Sequence, residues 1–320
     1  MKRTKDQGMG LTATIIIVWQ GSRMDCKRRG KSMKEILIIG CGYLGNVIAA
    51  NAKTMGLKVF ATTRSRADAL ISKGITPVIC DVTNQESYAN LPVVDGVIHC
   101  VGMDRSAGKS MREVYVDGLA GIASHLESQH FKGRFVHVSS TSVYGQNEGE
   151  LIDEKSATLP AEGSGAIVLE AENKLRSILP DSIILRFAGI YGPSRLIRSK
   201  AILAGEPIVC SPDRYLNLMH VADGAKACLA ALIQGTKGET YNASDDEPAL
   251  RRDFYNHLAL LLKATPPKFI LSNPDQPSAP HEGTNRRISN AKLKRELVNS
   301  LQFPSFREGL ENCVRLGTFA

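Results

Sequence analysis

Ten residues constrain this chain more than any others: Ile36-Leu37-Ile38-Ile39-Gly40-Cys41-Gly42-Tyr43-Leu44-Gly45. Four apolar residues in succession read as a strand buried on both faces. Gly40, Gly42 and Gly45 then give G-x-G-x-x-G spacing. The first glycine permits a tight turn, the second lets a pyrophosphate approach the backbone, and the third lets the next helix pack closely. A helix is expected from Tyr43 to about Met55, with its unpaired N–H groups turned to the phosphates. Glycine spacing alone is weak evidence; the strand before it and the helix after it supply the context.

From Met33 the pattern alternates. Strands are expected at Leu57 to Thr62, Ile75 to Cys80, Val93 to Val101, Arg134 to Ser140 and Ile183 to Ala188. Helices are expected at Arg66 to Lys73, Met111 to Gln129 and Ala161 to Leu179. Such alternation implies parallel pairing with right-handed crossovers, hence an α/β Rossmann-type doubly wound parallel sheet. After Gly189 the texture changes to short apolar pieces among Pro193, Pro207 and Pro212. Helices at His220 to Ile233, Leu250 to Lys263 and Ser289 to Leu297, with a strand at Glu239 to Ala243, complete the reading. The division expected is a basic extension over 1–32, a dinucleotide-binding domain over 33–190, and a smaller C-terminal substrate or lid domain over 191–320, interleaved with the sheet.

The chain of 320 residues carries a net charge of +8, and six of those charges fall before Met33. The basicity is therefore a property of the leading segment and argues against nucleic-acid binding by the body. An apolar run from about Gly10 to Trp19 imitates an export signal but is too short to span a bilayer. Residues 1–32 read as an upstream extension, a mis-assigned start or a disordered arm. No membrane association is expected. The seven cysteines, Cys26 among them, show no C-x-x-C spacing. They read as small buried hydrophobes in a reducing, cytoplasmic setting, with no metal site.

A carboxylate some 20 residues beyond the glycines would bind the ribose of NAD. Here the second strand runs into Thr62-Thr63-Arg64-Ser65-Arg66. Arg64 stands where a 2′-phosphate would be met, so NADP(H) is the expected cofactor, with NAD as the alternative. Asp81, ending the third strand, is placed beside the adenine. His99, Cys100, Val101 and Gly102, ending the fourth, are placed along the cofactor, as is Ser139 on the fifth.

Several segments carry a resemblance: the glycine loop, Val138-Ser139-Ser140-Thr141-Ser142-Val143-Tyr144-Gly145, Leu185-Arg186-Phe187-Ala188-Gly189-Ile190-Tyr191-Gly192-Pro193 and His220-Val221-Ala222-Asp223. Tyr241-Asn242-Ala243-Ser244-Asp245 and Asn285-Arg286-Arg287-Ile288-Ser289-Asn290 also fit. Together they resemble the extended short-chain dehydrogenase/reductases, the NAD-dependent epimerase/dehydratases, from Met33 to about Leu310. The resemblance implies oxidoreductase or epimerase chemistry on a small hydroxy, carbonyl or nucleotide-sugar substrate, and a two-helix homodimer face.

That family uses a Ser or Thr, a Tyr, and a Lys four residues after the Tyr; the Lys lowers the phenol pKa for proton transfer. Ser140 matches the Ser/Thr. Counting back from Ala171-Glu172 puts Ser164 at the Tyr position and Val168 at the Lys position. Neither supplies acid/base chemistry. On the central helix, Tyr115 precedes Val116-Asp117-Gly118 where the family has Asn. These departures resemble an atypical, nucleoside-diphosphate-sugar epimerase-like subgroup. Tyr115 and Tyr144 are the substitute catalytic candidates beside Ser140, and Tyr191 is a weaker one. Arg186 is expected to help close the cavity, His137 and His220 to be structural, and Glu170 to turn away. The competing reading is a non-catalytic NADP(H)-binding sensor or scaffold.

Overall fold

In the computed structural model, residues 33–160, 163–271 and 284–317 are described. The expectations for residues 1–32 lie outside them. In chain order the first elements are β1 (Glu35–Ile39), α1 (Tyr43–Thr54), β2 (Lys58–Thr63), α2 (Ala67–Ile71), β3 (Thr76–Ile79), β4 (Gly96–His99), α3 (Gly118–Ser128), β5 (Arg134–Ser140), β6 (Glu150–Ile152), α4 (Ser164–Ile178) and β7 (Ile183–Phe187). There follow β8 (Gly189–Tyr191), α5 (Ser199–Leu203), β9 (Ile208–Val209), β10 (Tyr215–Leu216), β11 (Leu218–His220), α6 (Val221–Gln234), β12 (Thr240–Ala243), β13 (Ala249–Leu250), α7 (Arg251–Leu261), β14 (Phe269–Ile270), β15 (Arg286–Ile288), α8 (Ala291–Glu296) and α9 (Phe306–Arg315).

Seven strands form one sheet in the order β12-β7-β5-β4-β1-β2-β3, and every pairing is parallel. The chain winds outward from β1 in both directions, so the order reverses between β1 and β4. In open sheets of this kind ligands bind beyond the carboxyl ends of the strands at that reversal.

The apolar strands are sorted by alternation. Ile36, Ile38, Val59, Ala61, Ile98 and Leu185 face α1 and α6, packing on Ile48, Ala52 and Leu232. Leu37, Ile39, Val97 and Phe135 face the other way, against Leu119, Ile122, Leu126 and Leu175 of α3 and α4. A third cluster joins Tyr191, Leu218, Phe254, Phe306, Leu310 and Cys313. It lies among the short strands and helices of the second half. From Met33 onward the chain forms a single compact unit. β12 and α6 belong to the main sheet and its covering layer although they follow residue 190 in sequence.

Two elements differ from the sequence expectation. The helix expected from Met111 to Gln129 is not uniform: Glu113–Asp117 forms a π-helical turn before α3 begins. Such turns insert one residue and cluster at functional sites. The terminal helix α9 was not expected. Ser305 caps it, and Glu308 reaches back to the cap backbone, a reciprocal capping box.

Candidate active site

The glycine loop builds the first part of the site. Gly40 has φ of +95°, and a Cβ there would meet the Val101 backbone at 2.7 Å. Its N–H donates to Thr62 Oγ1 at 3.0 Å, tying the loop to β2. Asn46 Nδ2 donates to the carbonyls of Cys41 (3.0 Å) and Gly42 (2.7 Å), fixing the turn from the helix side. Gly42 is the N-cap of α1, and no side chain caps the helix or puts an acidic group in its first turn. The helix start thus keeps unpaired N–H groups and the positive end of its dipole for an anion.

Above the loop, at the reversal of strand order, lies a groove of about 660 Å³. Gly40, Gly42, Arg64, Asp81, Val101 and Gly102 line it, as the sequence reading expected, together with Thr62, Arg66, Asp104 and Lys109. The side chains of the remaining residues expected at the cofactor do not line the groove, while the backbone N–H groups of Tyr43, Leu44 and Gly45 form the open helix start. Leu44 and Gly45 lie under the loop: Leu44 is core, and a Gly45 Cβ would sit 2.4 Å from Gly40 O. The Cys100 thiol donates to Gly40 O at 3.2 Å from beneath, and burial pushes its pKa far up. Tyr43 donates its hydroxyl to Pro193 O at 2.9 Å, linking loop to second half, while Arg195 stacks over its ring. His99 is fully buried in the sheet.

Asp81 accepts from the N–H and hydroxyl of its neighbour Thr83 at 2.9 and 2.8 Å. Arg64 pairs with Asp104 across the groove. Asp104 also accepts from Ser106, and hydrogen bonds from Ser106 and then Arg64 hold its carboxyl down at about 2.

A second cavity of about 530 Å³ adjoins the groove, the two sharing Val101. Tyr115, His137, Ser139, Ser140, Val168 and Ala171 line its inner end. Arg195, Arg198, Arg251 and Arg286 line it from the second half, and no carboxylate lies among the lining residues described. Of the candidate catalytic groups, Ser140 and Tyr115 are brought to this cavity. Ser140 Oγ accepts from Ser142 N at 3.1 Å. Tyr115 stands in the π-helical turn, half-buried, and its oxygen accepts the Met103 N–H at 3.0 Å. Its hydroxyl hydrogen is thus left to donate into the cavity. Burial raises the Tyr115 pKa, partly offset by the Met103 N–H, so the phenol is protonated at neutral pH.

Tyr144 is placed elsewhere. It is 1% exposed and does not line the cavity; its hydroxyl donates to Asn242 Oδ1 at 2.8 Å and accepts from Arg186 Nη1 at 3.0 Å. Tyr191 is likewise fully buried. Arg186 does not close the cavity: it lies behind Ser139, in a bidentate pair with Glu172 at 2.7–3.2 Å. Ser139 donates to the same carboxylate. Burial alone would lower the Arg186 pKa, but Glu172 outweighs it and raises the value. Glu170 is turned outward, paired with Arg112.

Val168, the residue that the resemblance sets at the family's Lys position, borders the cavity, and Ser164 is solvent-exposed at the start of α4. His137 does border the cavity, with its Nδ1 3.3 Å from His99 Nδ1. Burial holds His99 down at about 4 and His137 well below its usual range. Among the described residues no cluster of His, Cys, Asp and Glu could hold a metal, and no helix is long and apolar enough to cross a membrane. The six described cysteines are free.

The sequence matches the NAD dependent epimerase/dehydratase family over residues 36–244, which runs from the glycine loop through β12. The chain belongs to that family. Protein YeeZ of Escherichia coli K12 is 28% identical over 286 residues, covering 85% of this chain and 97% of YeeZ. A solved structure of a putative NAD-dependent epimerase/dehydratase from Methylobacillus flagellatus is 29% identical, with a TM-score of 0.69 over 89% of this chain and 99% of that one. UDP-glucuronic acid 4-epimerase from Bacillus cereus, solved in complex with NAD, shares the fold at 19% identity (TM-score 0.70, 88% and 99% covered).

The groove fits a dinucleotide. An uncapped helix start and a Gly42 with no protein atom within 4 Å of where a Cβ would be suit a pyrophosphate, with Arg64 and Arg66 lining the far end. The residues sequence reasoning missed are Asn46, Asp104 and Glu172. Asn46 and Asp104 have partners two to five residues away, but the Arg64–Asp104 and Arg186–Glu172 pairs join distant segments and carry no local signal.

Proposed function

We propose that this protein is an NADP(H)-dependent oxidoreductase or epimerase acting on an anionic hydroxy or carbonyl substrate, a nucleotide sugar being the best fit. The observation that carries this reading is Tyr115: its hydroxyl borders the substrate cavity next to Val101, and Met103 N–H fixes its oxygen from behind. Four arginines and no described carboxylate make the cavity suited to a diphosphate. The dinucleotide-bound relatives include a nucleotide-sugar epimerase.

In this reading Gly40, Gly42 and the start of α1 hold the pyrophosphate, and Arg64 and Arg66 take the 2′-phosphate. Bound in the groove, the dinucleotide supplies hydride acceptance and return. Tyr115 donates a proton to the substrate oxygen in one direction and accepts it in the other. Met103 N–H stabilises the phenolate left behind. Ser140 orients the substrate oxygen. Val168 contributes no charge, so Tyr115 works without the cation that lowers the phenol pKa elsewhere in the family, and slow turnover is expected.

The test is a titration with NADPH and NADH, followed by a screen of UDP- and dTDP-sugars and small carbonyl compounds for loss of nicotinamide absorbance and for epimerised product. Tyr115→Phe should abolish turnover and spare cofactor binding. Turnover that survives in Tyr115→Phe removes Tyr115 from the mechanism. Tight NADP(H) binding with no turnover across the panel favours the sensor reading, to which exposed Ser164 and apolar Val168 lend support.

A further inference from the structure

The far end of the groove contains an internal anion. Asp104 caps a one-turn 3-10 helix, Arg105–Ala107, through Oδ1, which accepts from Ser106 N at 3.0 Å and Ser106 Oγ at 2.6 Å. That leaves Oδ2 fixed in direction, and it meets Arg64 Nη2. The two residues are 40 positions apart, one closing β2 and the other following β4. Both line the groove, and their side chains are 49% and 43% exposed, so a solute can reach them. Asp81, the other carboxylate at this end, is occupied by Thr83. Asp104 is therefore the carboxylate that engages the guanidinium on which a 2′-phosphate would rely.

We infer that Asp104 is a built-in competitor for the 2′-phosphate subsite, occupying Arg64 in the dinucleotide-free protein and lowering the NADP-over-NAD selectivity that Arg64 would otherwise give. The inference rests on the assignment of this groove to a dinucleotide. A guanidinium presents a planar fork of N–H donors suited to a carboxylate or a phosphate. A phosphate dianion entering here must displace Oδ2 and also lies beside its negative charge. A cofactor ending in a 2′-hydroxyl meets neither obstacle.

Isothermal titration of the full chain with NADP⁺, NAD⁺ and 2′-AMP tests this in wild type, Asp104→Asn, Arg64→Ala and the double variant. Asparagine keeps the oxygen that Ser106 binds and removes the charge, and circular dichroism confirms that each variant is folded. The expected result is an NADP⁺/NAD⁺ affinity ratio that rises about two- to fivefold in Asp104→Asn, the range of one exposed ion pair. 2′-AMP should tighten in parallel. The gain should vanish when Arg64 is alanine. An unchanged ratio overturns the inference, as does a gain that persists without Arg64. Equal weakening of NADP⁺ and NAD⁺ also overturns it, since the pair would then be a clamp over the adenine. Wild-type protein that binds neither dinucleotide removes the cofactor assignment itself, an outcome distinct from all of these.

Discussion

Gly42 and Gly45 separate the cofactor site from the stability of the loop that forms it. A Cβ at Gly42 would have no protein atom within 4 Å, whereas one at Gly45 would lie 2.4 Å from Gly40 O and 3.3 Å from Cys100 Sγ. Gly42→Ala therefore costs only the difference between alanine and glycine at an N-cap, about 0.5 kcal/mol. For a domain of this size that lowers the melting temperature by about 1–2 °C. The added methyl stands in the open space where the pyrophosphate meets the start of α1. Losing one charge-assisted hydrogen bond there is worth about 1.5–3 kcal/mol, or roughly a ten- to hundredfold weaker dissociation constant. Gly45→Ala must push α1 away from the loop, because the obstructing atom is backbone; overpacking of this kind costs about 1–3 kcal/mol. Thermal melts and dinucleotide titrations of the two variants give the answer. Gly42→Ala should melt near wild type and bind poorly; Gly45→Ala should lose both. Wild-type affinity in Gly42→Ala would falsify the placement of the pyrophosphate on this loop.

Three further outcomes follow from the same geometry. Tyr115→Phe should lower any measured turnover by about 10²–10⁴, the usual contribution of a positioned acid, with the cofactor dissociation constant unchanged. Arg186→Met should destabilise the fold by about 3–5 kcal/mol in urea melts, since it strands Glu172, whose side chain is 4% exposed, and Glu172→Gln should recover part of that loss. His220 caps α6 by accepting the Ala222 N–H at 3.3 Å, and burial lowers its pKa from 6.5 to about 4. Below pH 6.5 the unfolded chain binds a proton that the native imidazole refuses, so stability falls with acid and levels off near pH 4. The loss amounts to about 2 kcal/mol at pH 5 for this one group. His220→Asn keeps an acceptor at the cap and does not titrate there. Its stability deficit against wild type should shrink by that amount between pH 7 and pH 5, and a constant deficit would show that His220 is not held neutral.

The sequence alone carried the strand, the glycine turn and the helix of the phosphate site, the parallel alternation, and the absence of a Tyr-Lys pair on α4. Each is written in residues within a turn or two of one another, where backbone stereochemistry and spacing decide the outcome. The terminal helix α9, with its Ser305–Glu308 capping box, was not read from the sequence although its signal is equally local. Placement of side chains relative to the cavity was not. Tyr144 and Arg186 stand in segments that pointed toward the site, yet the register that sets Ser139 opposite Arg186 turns that guanidinium to Glu172, with Tyr144 held behind it. Tyr115 gained its oriented hydroxyl from a π-helical turn and a Met103 N–H, and Arg64 gained Asp104 as a partner, only once β2 and β4 were set on either side of β1. Local spacing specifies which elements form. Which remote side chains converge depends on sheet order and on which face each strand presents, and those are fixed by burial of both faces of the sheet at once.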